Sequence, residues 1–485
     1  MRSAIAALMT ILCVGWLSAQ DVQGSADSAS PAAPSAHDAT ADSAPAQPAA
    51  QGSGGSPFSF SGGVTLGSDS FPTGSGAANE TWTRIGFQPD LGFGKVGVGL
   101  NLSVHFMLYR TQDEPVSIYP GDWIPNYDND GKSLLDLYLP LLMYVRYGQK
   151  GTDPFFVKLG SIDDLSLGDG FIMSDYSNML FMPQTRIFGM DLGLDGAAFG
   201  FPYLGFEALT GNLARFDVVG GRLFVRPLAW TQLPILKNLQ VGATLVADTD
   251  PGLYDATSYS GSVEAYGGDI LVPIFGGPFS LSAFTDLAFD PNTSMGWMLG
   301  AGGSLFGLVT YVAQLRVLQD GFIPSYFDAT YDVFRAQRAD LMEASPGSGF
   351  VPGWLARLGA TFVQDKVVFG ATLDGPFQPD GAFIAPAGDP GATPDPGRYL
   401  HLRGIFTIQQ IPGLPFFVDA SYDKYCIGAK NGFFQDLVDP TDAVIGMDIN
   451  YQTGASVLTL AYNATWDPAV GRFRVTSSLS ASVKF

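Results

Sequence analysis

The side chains of this sequence that could do chemistry are carboxylates and guanidiniums, and they recur at two-residue spacing. Counting alternate residues along the segments near 187–196, 202–210 and 218–227 puts Asp191, Asp195, Glu207, Arg222 and Arg226 on one face. A short connection centred near Ala214 sets Glu207 beside Arg222. Opposite charges on adjacent strands either brace a wall or orient a charged solute. The bases Arg84, Arg146, Lys158, Arg316, Arg357, Arg403 and Arg474 fall on the same face of their own segments. So do the acids Asp90, Asp136, Asp248, Asp286, Asp374, Asp419 and Asp448. A second concentration is the stretch 164–186. Asp163, Asp164, Asp169 and Asp175 border or punctuate a run holding Ile172, Met173, Met179, Leu180, Phe181 and Met182, which prefer burial.

Other chemistries find less support. Beyond residue 56 the histidines are His105 and His401, both expected on the charged face and neither with an acid–base set that spacing can place. No enzyme is expected. Asn126, Asp128 and Asp130, followed by Gly131, resemble the start of a calcium loop, and they are the only metal candidates. The closing position holds Leu137 where a bidentate acid belongs, with Asp136 one residue early, so turn chemistry is the preferred reading. No other cofactor is expected.

The elements that must carry these residues are strands. From Ile85 to Leu108, Ile85, Phe87, Pro89, Leu91 and Phe93 alternate with small or polar residues. After a tight turn at Gly94-Lys95, Val96, Val98, Leu100, Leu102, Val104, Phe106 and Leu108 form a second apolar face. The same alternation marks strands near 57–67, 135–147, 155–163, 187–196, 202–210, 218–227, 239–248, 266–275, 279–289 and 295–305. It continues near 308–319, 354–363, 367–374, 398–409, 415–424, 442–451, 456–466 and 472–485, giving about twenty strands, with 16–20 compatible with the pattern. Connections alternate in length: Gly94-Lys95, 276–278, 306–307, 364–365 and 452–454 are short, whereas 109–133, 164–186, 249–265, 320–353, 375–397 and 425–441 are long. Residues 326–341 within the fourth long segment have helical spacing and are a second candidate lid.

Composition narrows the class. The chain of 485 residues is 46% hydrophobic but only 15% charged, against about 25% in ordinary soluble domains. No stretch reaches the length and apolarity of a spanning helix. The net charge of −21 argues against a nucleic-acid partner. Residues 1–20 read as a cleaved secretory signal peptide, with Arg2 before an apolar run and small residues at 18–19. Residues 21–56, rich in Ala, Ser, Pro and Gly and without aromatics, read as a disordered periplasmic tether, and 57–485 as the folded domain. The two cysteines, Cys13 and Cys426, leave the exported chain no internal disulfide.

The last stretch, Arg472 to Phe485, sets Phe473, Val475, Ser477, Leu479, Ala481, Val483 and Phe485 on one face, and Arg474, Thr476, Ser478, Ser480, Ser482 and Lys484 on the other. With its terminal aromatic it resembles the C-terminal signature of bacterial outer-membrane β-barrel proteins of the porin type. That resemblance implies an all-β, antiparallel up-and-down transmembrane barrel with short periplasmic turns and long extracellular loops. Phe485 would be its signal to the barrel-assembly machinery, and outer-membrane lipid and small solutes its other partners. The segment 164–186 is similar in position to the porin loop that folds inward. On that basis Asp163, Asp164, Asp169 and Asp175 would reach a constriction facing Arg146, Lys158, Arg316, Arg357 and Arg403. The expected function is passive diffusion of small hydrophilic solutes. A transporter for hydrophobic solutes, favoured by the Met- and Phe-rich loop, and a surface-interaction barrel with a closed lumen stay open beside it.

Overall fold

A period-two sequence has one way to satisfy both of its faces and all of its backbone groups, which is to curl until the first strand meets the last. A computed structural model shows this arrangement over residues 58–484, apart from 73–78, 109–115, 125–133, 183–185, 255–258, 260, 343–346, 364–365, 385–393, 410 and 468–470. Strand Phe58–Pro72 pairs on one side with Asn79–Phe93 and on the other with Arg472–Lys484, so the sheet closes on itself. Between them every neighbouring pair in the wall is antiparallel, in chain order. The ring has twenty strand positions. One position is a strand broken at Asn101, Val96–Leu100 followed by Leu102–Leu108. The next is shared by Val116–Ile118 and Leu142–Tyr147, which pair with the two halves of that strand.

Strand Gln240–Asp248 shows how the sequence sets the faces. Gly242, Thr244, Val246 and Asp248 are buried toward the interior, while Val241 and Leu245 are exposed on the outside. The same parity puts Leu223, Ile270, Leu299, Leu315, Leu358 and Leu479 outside. A continuous exterior of this kind suits hydrocarbon better than water. Gly94, at φ 60, supplies the left-handed residue that the two-residue turn to Val96 demands.

The wall departs from the sequence reading at a few places. Residues 134–141 are not strand: Leu134–Tyr138 is a helical turn and Leu139–Leu141 a 3-10 turn, and the strand starts only at Leu142. Pro140 has no amide to give a ladder, which is why the strand cannot begin earlier. The strand expected at 155–163 stops at Gly160, whose φ of 133 turns the chain inward. The first strand is longer than expected, running to Pro72. The signal-peptide and tether segments, the calcium candidates Asn126, Asp128 and Asp130, and Phe485 lie outside the described residues.

Two connections on the long-loop rim fold into the ring. Ile162, Leu165, Leu167, Phe171, Ile172, Met173 and Tyr176 come from one, and Phe322, Ile323, Tyr326, Phe327, Tyr331, Ala339 and Met342 from the other. They share a buried cluster with wall residues including Leu209, Val218, Val246, Leu271, Phe284 and Met298. Parallel pairing of Phe327–Asp328 with Met173–Ser174 joins the two connections. The sequence range 326–341 is helical only from Tyr331 to Leu341, because Phe327 and Asp328 are taken by that pairing.

Leu245→Arg, at an outward position within its strand, is expected to lower stability in lipid vesicles by about 2–4 kcal/mol, whereas the inward Thr244→Ser should be near neutral. Reversible urea unfolding in vesicles checks both, and equal costs would contradict the assignment of faces.

Candidate functional site in the lumen

The site is positioned by Arg335, the buried centre of the inner helix. Its Nε and Nη2 donate to the two carboxylate oxygens of Asp248, at 3.0 and 2.6 Å. Nη1 donates to Asp217 at 2.9 Å, and Nη2 also reaches the Asp250 carbonyl at 3.0 Å. Asp248 belongs to the wall, while Asp217 and Asp250 lie in the connections just before and just after neighbouring wall strands, so one guanidinium fixes the helix to two strand ends. Tyr331 adds a hydroxyl bond to Asp248 at 2.7 Å. Asp332 accepts from the Tyr176 hydroxyl of the other inward connection at 3.2 Å. Burial pushes the Asp332 carboxyl up to about 7, against the pull of Arg335.

One helical turn further on, Arg338 flanks the same Tyr331 ring as Arg335 but reaches a different set of partners. It donates to Asp328 at 2.6 Å and to the Tyr326 carbonyl. The Tyr425 hydroxyl donates to the same Asp328 at 2.6 Å. Burial raises Asp328, but Arg338 and that hydroxyl outweigh it and hold the carboxyl below its ordinary value. The Tyr425 ring stacks on His401 at 4.2 Å and 9°. Both His401 nitrogens are engaged, Nδ1 with Asp374 at 3.0 Å and Nε2 with Asp423 at 2.8 Å.

These groups border a cavity between the inward connections and the wall strands Val309–Gln319, Phe350–Phe362, Val367–Pro376, Leu400–Ile408 and Phe416–Ile427. Its atom-free space is about 1190 Å³, including what is continuous with solvent. Arg316, Arg357 and Arg403 form one side of it. Asp175, at φ 56, faces them from the inward connection, 2.7 Å from Arg357 and 3.5 Å from Arg403. Asp tolerates that left-handed backbone better than most residues. Arg316 pairs instead with Asp374 at 2.8 Å.

The residues singled out from sequence therefore divide. Asp169, Asp175, Arg316, Arg357 and Arg403 border this cavity. Asp163 pairs with Lys158 at 3.6 Å, away from it, and Asp164 is half-buried in the same connection. Arg146 stands opposite Lys158 in register. The cluster on three strands does not act as one unit: Asp191 pairs with Lys150 at 3.0 Å and Asp195 with Arg226 at 2.7 Å. Glu207 lies opposite Arg222 as the short connection requires, yet at 3.8 Å, because Arg222 is spent on a bidentate pair with Asp269 at 2.6 and 3.0 Å. Asp269 and Asp423 are not among the residues picked out from sequence, although strand parity alone puts both inward. His105, likewise inward, is held through both nitrogens by Asp69 at 2.7 Å and Asp122 at 2.8 Å.

No protein-family model and no curated protein matches this chain. Among solved structures it is similar to OccAB2 of Acinetobacter baumannii, at 11% identity and a TM-score of 0.35, over 88% of this chain and 98% of that one. OccAB3 of Acinetobacter baumannii overlaps at 11% identity and a TM-score of 0.33, over 88% and 99%. OccK8 (OprE) of Pseudomonas aeruginosa overlaps at 10% identity and a TM-score of 0.33, over 88% and 97%.

Replacing Arg335 by Ala leaves Asp248 and Asp217 buried without their guanidinium, a change expected to cost about 3–5 kcal/mol. Limited proteolysis should then cut within 331–341 while the wall stays intact. An uncut helix at wild-type protease levels would show that the apolar cluster alone holds it.

Proposed function

We propose that the protein is an outer-membrane channel through which small hydrophilic solutes diffuse passively, narrowed by the two inward connections. The observation that carries this is the cavity beside them, bordered by Arg316, Arg357 and Arg403 on the wall and by Asp175 and Asp328 on the connections. A ring of twenty strands is wide enough for an aqueous interior, and opposed rows of charge set a transverse field across whatever passes. The outward apolar face supports residence in lipid, with insertion through the closing strand Arg472–Lys484 by a barrel-assembly machinery. The short-turn rim would then face the periplasm and the long-loop rim the exterior.

One observation favours a second reading, a barrel with a closed lumen and a role at its surface. The inward connections share a packed core with the wall, and Arg316, Arg338, Arg357 and Arg403 each have acid partners. That same packing weakens the case for a transporter of hydrophobic solutes. Ile172, Met173 and Phe171 are consumed in the core, so they do not offer an apolar path.

Purified protein in planar bilayers should form channels, and shortening the connection between Ile162 and Ile187 should raise their conductance. Asp175→Asn should lower the cation-to-anion permeability ratio on the order of two-fold by releasing Arg357 and Arg403, while Asp163→Asn changes it little. Absence of channels would favour the closed barrel.

Orientation has its own check. A cysteine placed at Asp380 should react with an impermeant reagent on intact cells and one at Lys95 should not. Labelling at Lys95 would invert the assignment of rims.

A further inference from the structure

Beside the cavity lies a group of acids for which the channel reading has no use. Asp269 and Asp286 sit directly opposite each other on strands Val263–Phe275 and Leu281–Phe289. Like charges in that register repel. The nearest base is Arg222, and it is already bidentate to Asp269. Asp169 arrives at this wall from the inward connection. A side chain at the preceding Gly168 would lie 3.1 Å from the Arg222 Nε and 3.6 Å from an Asp269 carboxylate oxygen, which measures how closely the connection is seated there. Asp169 is only 4% exposed, and its Oδ2 has no hydrogen-bond partner; neither has the Oδ2 of Asp286. A desolvated carboxylate in that position is costly unless it keeps a proton or gains a cation.

The charged groups facing Asp169 are Asp269, Asp286 and Glu207 on one side of the balance, and Arg222 on the other. Arg316 lies near Asp286 and is packed under Phe171, 6.0 Å from its ring. It is paired with Asp374 and does not neutralise the group. Acids therefore exceed available bases around Asp169.

We propose that Asp169 is a proton-operated latch on the inward connection. With its carboxyl neutral the connection stays seated on the acid-rich wall, and ionisation drives it away from Asp269 and Asp286 and adds negative charge to the cavity. This rests on the channel reading above. The two residues after Asp169 carry the movement onward: the Gly170 carbonyl accepts from the Ser325 hydroxyl and the Phe171 carbonyl from the Ser325 amide, both at 2.8 Å. Displacement at Asp169 thus pulls on the connection that carries the inner helix.

The direction of the pH response follows from burial. Burial, then Asp269, working against Arg222, push the Asp169 carboxyl up to about 7. An exposed Asp titrates near about 3.9. The seated form holds the proton more tightly than the released form does, so seating is firm at acid pH. It weakens as the pH climbs from about 4 through about 7.

The test measures reversal potentials of the full-length protein in planar bilayers under a potassium chloride gradient, from about pH 5 to about pH 9. The cation-to-anion permeability ratio should rise across this range with its midpoint near neutrality. Asp169→Asn should hold the acid-pH ratio throughout, and Asp286→Asn, by removing one repelling carboxylate, should move the midpoint to lower pH. A wild-type ratio that ignores pH, or a response that survives Asp169→Asn unchanged, overturns the latch. Infrared difference spectra of the same protein read the group without conduction. A component of the protonated-carboxyl band that disappears on raising the pH in wild type, and is missing in Asp169→Asn while the Asp332 component remains, supports the proposal; identical spectra in the two proteins overturn it. If no channels form but the band behaves as expected, it is the channel reading that fails and the titration that stands.

Discussion

A backbone amide or carbonyl without a partner in hydrocarbon costs roughly several kcal/mol, and a strand has a row of them on each edge. The seam between Phe58–Pro72 and Arg472–Lys484 removes the last such rows. Everything else in the structure is conditioned by that closure. Once the ring is shut, each strand has an outer face that can be apolar throughout and an inner face that lipid can no longer reach. Polar side chains on the inner face then have to find water, each other, or the chain's own loops. Asp248, Asp269 and Arg222, all nearly devoid of exposure, found each other or a loop.

The interior shows what this costs and how it is met. Fully buried ions are expensive, and a buried pair recovers the expense only when its geometry is good and its remaining valences are used. Arg335 meets that standard, with three carboxylate bonds and a carbonyl. Its contribution is less to net stability than to position, since it allows the inner helix one seat on the wall. Arg338, one turn along the same helix, completes the arrangement with Asp328 and Tyr425. Apolar packing does the rest. Two connections that could not remain in water bury their Phe, Ile, Met and Tyr side chains against Val246, Phe284 and Met298, and the hydrophobic term is large for residues of this size. The cavity is the space left over on the side where Arg316, Arg357 and Arg403 prevent apolar filling.

The charges do not balance evenly. Arg335 and Arg357 each hold their acids directly. Around Asp169 the acids outnumber the bases, and the ion pairs that tie this connection to the wall lie elsewhere along it, at Asp163 and Asp175. Burial disfavours the charged form of a carboxyl, so an excess of buried acids is a place where protonation and packing are coupled.

What the sequence determined by itself was everything that depends on period and on chain length. Alternation from Ile85 to Leu108, at Gln240–Asp248 and at Arg472–Lys484 marked strands and faces and bounded their number at 16–20, because a two-residue repeat has one consequence for side-chain direction whatever surrounds it. Short and long connections told the two rims apart. The strand expected from residue 135 begins only at Leu142, because Pro140 interrupts the repeat. The parity rule likewise put Arg316, Arg357 and Arg403 inward, and the short connection put Glu207 opposite Arg222. Only the tertiary structure decided who pairs with whom. Arg222 prefers Asp269, two strands further on, to Glu207 on the adjacent strand, and Asp175 meets Arg357, 182 positions later in the chain. Arg335 and Arg338 lie on a helix whose spacing was visible but whose seat was not. The reason is physical: period is a property of neighbouring residues, whereas an ion pair across a lumen depends on the curvature of the ring and on where two loops come to rest inside it.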